Sequence, residues 1–172
     1  HVREKDGLWA ILLWLNIIAE RQLSAAEILH DHWKTYGRDY YSRHDYEAVP
    51  ADAAAGLMKA LRSQLADLPG KTFAGQTVKH ADEFSYHDPV DGSVSENQGV
   101  RIVFENAARA VFRLSGTGTE GATLRLYLEQ YAPQGTDHFK DTQKALQSVK
   151  DAAVEISGLE ARLGRTEPDV MT

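Results

Sequence analysis

The residues best suited to chemistry lie between Arg109 and Tyr131, where two alternating patterns are joined by Ser-Gly-Thr-Gly-Thr-Glu-Gly. The joining segment holds three glycines and three hydroxyl side chains, and Arg113 and Arg125 flank it. Guanidinium groups form paired, charge-assisted hydrogen bonds with phosphate, and glycines let backbone N–H groups converge on an anion. The stretch therefore predicts a site for a phosphate group.

Two strands must bring these arginines together. The apolar positions of both strands share one face: Ala110, Phe112, Leu114, Leu124, Leu126 and Leu128. If the strands pair, Arg113 and Arg125 project from the opposite face, near the hydroxyl groups of Ser115 and Thr117. The alternative is an ordinary hairpin with solvated arginines. Hairpin loops usually have about 2–5 residues, whereas residues 115–122 predict a loop of eight, and this length favours the anion site.

Other phosphate and metal motifs fit the sequence less well. The glycines at 116, 118 and 121 have dinucleotide-binding spacing, but a strand pattern follows them where that motif needs a helix. A kinase glycine-rich loop requires further kinase motifs, and a Walker loop requires Gly-Lys-Ser/Thr. The segment His30-Asp31-His32 is a poor metal site, because helical residues two apart point in different directions. The residues alone predict a phosphate-binding module without a complete set of catalytic groups.

Composition narrows the class of protein. The chain has 172 residues, of which 42% are hydrophobic, enough for one domain or one domain plus part of another. A net charge of -6 argues against a general attraction to nucleic acid or anionic membrane. Cysteine is absent, which fits a reducing compartment, and we expect a cytoplasmic protein. The longest apolar run, from Leu8 to Ala19, is shorter than the roughly 20 residues of a membrane span.

The first elements are predicted to be two helices. Asp6 is an N-cap for a helix over residues 7–19, and Ser24-Ala-Ala-Glu27 is a capping box for a second helix to about Trp33. We interpret the first as a buried helix, because it is apolar on most sides. The second helix is too small to cover it, so we expect the chain to be a piece of a larger protein.

The remainder predicts an α+β domain with an antiparallel sheet packed by helices. Residues 36–47 lack a clear period, and we interpret them as an extended connector. Helical patterns cover residues 51–66 and about 137–163, and strand patterns cover residues 77–81, 84–86, 99–104, 109–114 and 122–131. Residues 88–92 predict a turn, and the segment from Gly164 to Pro168 is expected to end the fold.

Several segments together carry a family resemblance. They are His1-Val-Arg-Glu-Lys5-Asp-Gly-Leu-Trp-Ala, Tyr36-Gly-Arg, Asp45-Tyr-Glu, Asp88-Pro-Val-Asp-Gly-Ser, Asn97-Gln-Gly-Val-Arg, Phe112-Arg-Leu-Ser-Gly-Thr-Gly, Gly121-Ala-Thr-Leu-Arg-Leu-Tyr and Gly164-Arg-Thr. In this combination the chain resembles the C-terminal part of the phosphoglucomutases, in the alpha-D-phosphohexomutase superfamily. The resemblance covers nearly the whole chain.

The resemblance implies a parent enzyme of four domains that interconverts glucose 1-phosphate and glucose 6-phosphate. That chemistry uses a phosphoserine, magnesium and glucose 1,6-bisphosphate. Residues 1–40 would be the last helices of domain three, a remnant of an α/β domain, and residues 41–172 would be domain four. The family's phosphate-gripping loop and substrate contacts then fall on these residues: Arg113, Ser115, Gly116, Thr117 and Arg125 for the phosphate, and Lys5 and His1 for the sugar phosphate.

The family's other functional loops lie upstream and are missing from these 172 residues. They are the phosphoserine loop, the acidic magnesium loop and the Gly-Glu-Glu-Ser sugar-selecting loop. We therefore expect that this part binds no metal, contains no catalytic residue and has no mutase activity alone. Its expected partners are a sugar phosphate and the remaining domains of the parent enzyme, with no nucleic acid and no membrane.

One alternative is a free-standing module that binds a sugar phosphate or a phosphopeptide. The coding sequence upstream of His1 separates the two hypotheses, because an in-frame phosphoserine loop supports the enzyme and a nearby start codon supports the module. In either case the helix from Leu8 to Ala19 would lack its sheet, and we expect copies of the chain to associate through it.

Overall fold

The computed structural model describes residues 5–118 and 121–172, and for residues 116–118 it describes the backbone alone. The described residues form two compact units. The first consists of residues 5–38 and Ala132–His138, and the second of Asp39–Tyr131 and Phe139–Thr172. Both arginines of the predicted phosphate site belong to the second unit.

The first unit contains two capped helices, α1 (Gly7–Arg21) and α2 (Ala25–Tyr36). Asp6 caps α1 by accepting a first-turn backbone N–H at 3.0 Å. At the start of α2 the N–H of Ser24 donates to the Glu27 carboxylate at 2.8 Å, and the N–H of Glu27 donates to Ser24 Oγ at 3.3 Å. Both predicted helix starts are confirmed, because each cap satisfies N–H groups that a helix leaves unpaired.

The apolar face of α1 is exposed. Leu8, Ile11, Leu12 and Leu15 expose 75%, 57%, 60% and 55% of their surface, and no residue of α1 is buried. This exposure agrees with the expectation that α2 is too small to remove the apolar face of α1 from water. Burial of α1 against further parts of a larger protein stays a prediction.

The second unit is built on a seven-stranded sheet with the order β2-β3-β4-β5-β6-β1-β7. Its strands are β1 (Arg38–Val49), β2 (Thr72–Phe73), β3 (Gln76–His87), β4 (Val94–Phe104), β5 (Arg109–Gly118), β6 (Gly121–Ala132) and β7 (Val170–Met171). Strands β2 to β6 pair as successive antiparallel neighbours, and β7 pairs antiparallel to β1. The helices are α3 (Ala51–Gln64), α4 (Thr142–Ser157) and α5 (Leu159–Leu163). The predicted α+β fold is confirmed.

The core lies between the helices and one face of the sheet. The sheet contributes side chains with at most 1% exposure: Ala110, Phe112, Leu124, Leu126 and Leu128. The helices contribute fully buried residues: Leu57, Leu61, Leu146, Val149 and Leu159. Burying each large side chain contributes about 1.5–3 kcal/mol. A shift of the strand register by one residue would expose these apolar side chains to water. The core therefore fixes which residues of β5 and β6 face outward.

The sheet is larger than the sequence predicted. Most of the segment interpreted as a connector, residues 36–47, belongs to the 12-residue strand β1, in which His44, Asp45 and Tyr46 are all buried. Burial of consecutive residues erases the period of two that marks a half-exposed strand. The fold also continues beyond Pro168, because β7 pairs with β1 through His44 to Met171. A two-residue strand is too short to produce a pattern.

Helix α3 and the predicted turn are confirmed with shifted ends, whereas the single helix predicted over about residues 137–163 is two helices, α4 and α5. The last long helix begins at Thr142 because Asp141 caps it, accepting the Lys144 N–H at 3.0 Å. Gly158, with φ of +59°, ends α4 before α5 begins. In the turn, Asp88 Oδ1 accepts the N–H of Val90 at 2.7 Å.

His44 is a buried titratable residue of β1. Its Nε2 lies 2.9 Å from Gln143 Oε1, and its Nδ1 is buried without a hydrogen bond to any described residue. Burial lowers the pKa of His44, and Lys150 lowers it further, whereas Gln143, Glu167 and Asp45 act in the opposite direction. The imidazole is therefore held neutral inside the protein. Protonation would place a charge where water cannot reach one of its nitrogens.

We expect the free energy of unfolding to fall as the pH drops below about 6.5, the ordinary pKa of histidine. The unfolded chain then binds a proton that the folded chain resists, so acid favours unfolding until the pH reaches the lowered pKa of folded His44. Urea unfolding between pH 7.5 and 5 measures this slope. His44→Gln should unfold with a smaller slope over the same range, and equal slopes would contradict the prediction.

Candidate functional site

The two arginines of the predicted site lie directly opposite each other. In the β5–β6 pair Arg113 faces Arg125, and the next outward-facing pair is Ser115 with Thr123. Directly opposed residues in antiparallel strands have Cβ atoms roughly 4.5–5.5 Å apart. The helices cover the other face, so both guanidinium groups are on the open side of the sheet. The structure confirms the outward-facing arginine pair that the alternation predicted, and the role of this pair in a phosphate site stays a prediction.

These two guanidinium groups differ from the others that the structure describes. Every other described arginine donates a hydrogen bond to a carboxylate or a carbonyl: Arg21, Arg38, Arg43, Arg62, Arg101, Arg109, Arg162 and Arg165. Arg113 makes no hydrogen bond or ion pair with the described residues, and Arg125 Nε is buried without a hydrogen-bond partner among them. Opposed like charges destabilise a strand pair unless an opposite charge lies nearby. The pair is therefore suited to receive an anion.

Asp45 supplies part of the missing negative charge. Its carboxylate is 5% exposed and accepts a hydrogen bond from Arg43 Nε at 2.8 Å. The other carboxylate oxygen lies 3.8 Å from Arg125 Nε, within ion-pair distance but too far for a hydrogen bond. Sequence reasoning missed Asp45, because the segment around it was not recognised as a strand. Arg43, Arg113 and Arg125 together with Asp45 carry a net charge of two positive units, which matches the charge of a phosphate dianion.

The glycine-rich segment is mostly strand. Strand β5 continues to Gly118 and β6 begins at Gly121, so only residues 119 and 120 separate them. The predicted eight-residue loop is wrong, and its length no longer argues for an anion site. A shift in register between Ser115 and Thr117 makes Gly116 the extra residue of a bulge. The side chains of residues 116–118, including Thr117, lie outside the described part.

Gly121 brings the start of β6 close to the end of β1. Its φ is +103°, and a Cβ atom at this position would lie 2.9 Å from the Val49 carbonyl oxygen and 3.2 Å from the carbonyl carbon of Ala48. Only glycine combines this backbone conformation with this close approach. Strand β6 is therefore held against β1 beside the bulge, four residues before Arg125.

A groove of about 790 Å³ runs along the open face of the sheet and includes Arg113. Tyr41, Phe84 and Tyr127 are among its walls. Its three other described arginines are paired with acids: Arg43 donates to Asp45 at 2.8 Å, Arg101 donates to Asp82 at 2.6 and 2.9 Å, and Arg109 donates to Glu129 at 2.9 Å. The hydrogen bonds from Arg101 lower the pKa of Asp82, so this carboxylate stays charged at neutral pH.

The residues predicted to contact the sugar phosphate, Lys5 and His1, are near the N-terminus of the chain. Lys5 is exposed and directly precedes the Asp6 cap of the first unit. His1 lies outside the described residues. The histidines at 30 and 32 form no metal site with Asp31, whose carboxylate pairs with Arg21 at 3.0 Å. Within residues 5–118 and 121–172 no cluster of three metal-ligating side chains is present.

None of the described helices is both long enough and apolar enough to span a membrane.

Comparison with known proteins gives consistent matches along the whole chain. The profile of the family "Phosphoglucomutase-1, C-terminal domain" matches residues 38–169, and "Phosphoglucomutase/phosphomannomutase, alpha/beta/alpha domain III" matches residues 1–36. A phosphoglucomutase from Rhizobium radiobacter is 56% identical over the full chain, and phosphoglucomutase-1 from Homo sapiens is 48% identical. The chain covers 32% of each of these proteins.

A solved structure gives the same result at the level of the fold. The open form of pp63/parafusin, a phosphoglucomutase from Paramecium, superposes with a TM-score of 0.86 at 42% identity. The match covers 100% of the present chain and 30% of that protein. The chain therefore spans about a third of the length of its relatives.

Proposed function

The chain belongs to the phosphoglucomutase family, and from this we propose that it is the C-terminal part of an enzyme that interconverts glucose 1-phosphate and glucose 6-phosphate. In the proposal, residues 1–40 end the third domain and residues 41–172 form the fourth. This part grips the phosphate of the substrate, while the catalytic phosphoserine lies in the remaining two thirds. The chain alone should therefore bind sugar phosphate without converting it.

The observation that carries the proposal is the opposed pair Arg113 and Arg125, which makes no hydrogen bond to the described residues. Two guanidinium groups facing one dianion can each donate two hydrogen bonds in a fixed geometry. Ser115 lies next to them and can add a hydroxyl donor. Gly116 and Thr117 complete the proposed grip, and the bulge at Gly116 frees backbone there from the regular ladder.

The remaining parts of the proposal concern the whole enzyme. Lys5 and His1 would contact the sugar phosphate from the third domain. Magnesium and glucose 1,6-bisphosphate would act with the upstream domains. A cytoplasmic location is the simplest assignment, and one relative, from Mesembryanthemum crystallinum, is named as a cytoplasmic phosphoglucomutase.

We expect Arg125→Ala to weaken binding of glucose 1-phosphate to the full 172-residue chain. Losing a charge-assisted hydrogen bond costs about 1.5–3 kcal/mol, which corresponds to about 10- to 150-fold in the dissociation constant. Isothermal titration or ³¹P NMR measures the change. Arg109→Ala is the matched control, because Arg109 lies on the same face and is paired with Glu129. Equal affinity of Arg125→Ala and the unmodified chain would remove this arginine from the site.

We also expect copies of the isolated chain to associate through α1. Its exposed leucines and isoleucine form a continuous apolar stripe, which water disfavours. Light scattering coupled to size exclusion should give a mass above that of one chain. Leu12→Glu should shift the protein toward the monomer, since it places a charge within the stripe. A monomer for the unmodified chain at high concentration would contradict the prediction.

A further inference from the structure

Gly99 in β4 lies against Arg113. The register that pairs Val100 with Phe112 places Gly99 next to Arg113 on the open face of the sheet. A Cβ atom at position 99 would lie 2.8 Å from Arg113 Cγ and 2.8 Å from the carbonyl oxygen of Phe112. The stem of Arg113 therefore occupies the space that a side chain at position 99 would fill. Arg113 leans from β5 toward β4.

Arg125 is drawn in the opposite direction. Strand β6 lies between β5 and β1, and the Nε of Arg125 is 3.8 Å from the Asp45 carboxylate on β1. On the outer side of Arg113 lies Gly99, which has no side chain. On the outer side of Arg125 lies the negative charge of Asp45. Leaning apart reduces the repulsion between the guanidinium groups.

The geometry points to Gly99 as a positioning residue for the phosphate site. By lacking a side chain, Gly99 holds Arg113 away from Arg125 and keeps a gap in which both guanidinium groups can reach one phosphate group. This inference rests on the proposed function, since it concerns how the same arginines receive the substrate. The φ of Gly99, +152°, also lies in a region that favours glycine.

The groups around Gly99 differ in how far they can move. Across the other edge of β4, Gly99 faces Phe84 of β3, whose ring carries the Arg101 guanidinium at 5.4 Å. Phe84 and Arg101 line the groove together with Arg113. A side chain at position 99 would meet the carbonyl oxygen of Phe112 as closely as the stem of Arg113, and of these two neighbours Arg113 is the one that can move.

The test is a double-mutant cycle in the full chain, with glucose 1-phosphate as the ligand. Gly99→Ala should weaken binding by about tenfold, as expected when one arginine loses a well-placed hydrogen bond. In the Arg113→Ala background the same substitution should change the affinity by less than about twofold, because additivity fails only for residues that act through each other. Gly75→Ala is the matched control, since Gly75 has φ of +81° and open space around it. It should leave affinity unchanged.

The outcomes separate the inference from the proposed function. If Arg113→Ala binds more weakly than the unmodified chain, but Gly99→Ala binds as tightly as the unmodified chain, the inference is overturned and the function stands. An equal loss in both backgrounds also overturns it, because Gly99 would then act on the fold. If Arg113→Ala has no effect, the proposed function itself fails. If Gly99→Ala does not fold, NMR couplings of the Arg113 methylene groups in the unmodified chain test the inference instead. A single rotamer of Arg113 supports the inference, and averaging over rotamers overturns it.

Discussion

Replacing Arg113 with alanine in a complete enzyme should lower kcat/KM for glucose 1-phosphate by about 100-fold, equivalent to about 2.7 kcal/mol at 25 °C. The test enzyme is the Rhizobium radiobacter phosphoglucomutase with its matching segment replaced by this chain. The exchange is conservative, because the two segments are 56% identical over 172 residues. The loss is large because Arg113 has no alternative partner among the described residues, so its bonding capacity is available to the phosphate.

The effect should depend on position and not on the loss of one positive charge. Arg109→Ala removes an arginine from the same strand and the same face, four residues away, but Arg109 is paired with Glu129. Exposed pairs of this kind contribute about 0–1 kcal/mol, so the control should retain activity within a few-fold. Comparable losses in both variants would mean that general electrostatic attraction, and not a specific grip, explains the role of Arg113.

Substitution of Gly121 by alanine should have the largest effect on stability, a loss of about 2–6 kcal/mol in the free energy of unfolding. Its positive φ costs a non-glycine residue about 1–3 kcal/mol. The new methyl group would also approach the Val49 carbonyl oxygen to 2.9 Å, and overpacking costs about 1–3 kcal/mol more. Total stabilities are about 5–15 kcal/mol, so the loss is a large share. Chemical denaturation of the full chain measures it.

Substitutions at two other glycines distinguish the cost of the positive φ at Gly121 from the cost of its close contact with β1. Gly75 has φ of +81°, and a Cβ atom at this position would have no other atom within 4 Å. Gly75→Ala should therefore lower the free energy of unfolding only by the cost of the positive φ, about 1–3 kcal/mol. Gly56→Ala lies inside α3 with open space around it and should gain up to about 1 kcal/mol. If Gly121→Ala is no worse than Gly75→Ala, then the approach of β6 to β1 is not tight in solution.

The pairing of Arg113 with Arg125 could be predicted from the sequence, whereas the glycine-rich segment between them could not. The apolar alternation of β5 and β6 determines which side chains face the core, and through them which face outward. The glycine-rich segment has the composition of a loop, yet its backbone continues as strand with a bulge at Gly116. A high glycine content shows that the backbone of a segment can adopt unusual conformations. It does not show whether the segment forms a turn or a bulge.

Asp45 and Gly99 could not be recognised because their roles arise from neighbours far away in sequence. Asp45 matters through its position beside Arg125, and Gly99 through its position beside Arg113. Each contact depends on strand order and register, which a single sequence does not specify. The surroundings of Asp45 were obscured further, since burial on both faces of β1 removed the alternation that would have marked a strand.

The position of β1 in the sheet has a consequence for the order of folding. Strands β3 to β6 are successive hairpins and can pair as soon as they leave the ribosome, whereas β1 is made before them and must wait for β6 and β7. Glu47 bonds to Asp169, which is 122 residues later. Contacts of such separation require a large loss of chain entropy before they form. We therefore expect a local hairpin to bring Arg113 and Arg125 together first, and Asp45 to join them later in folding, when β1 takes its place between β6 and β7.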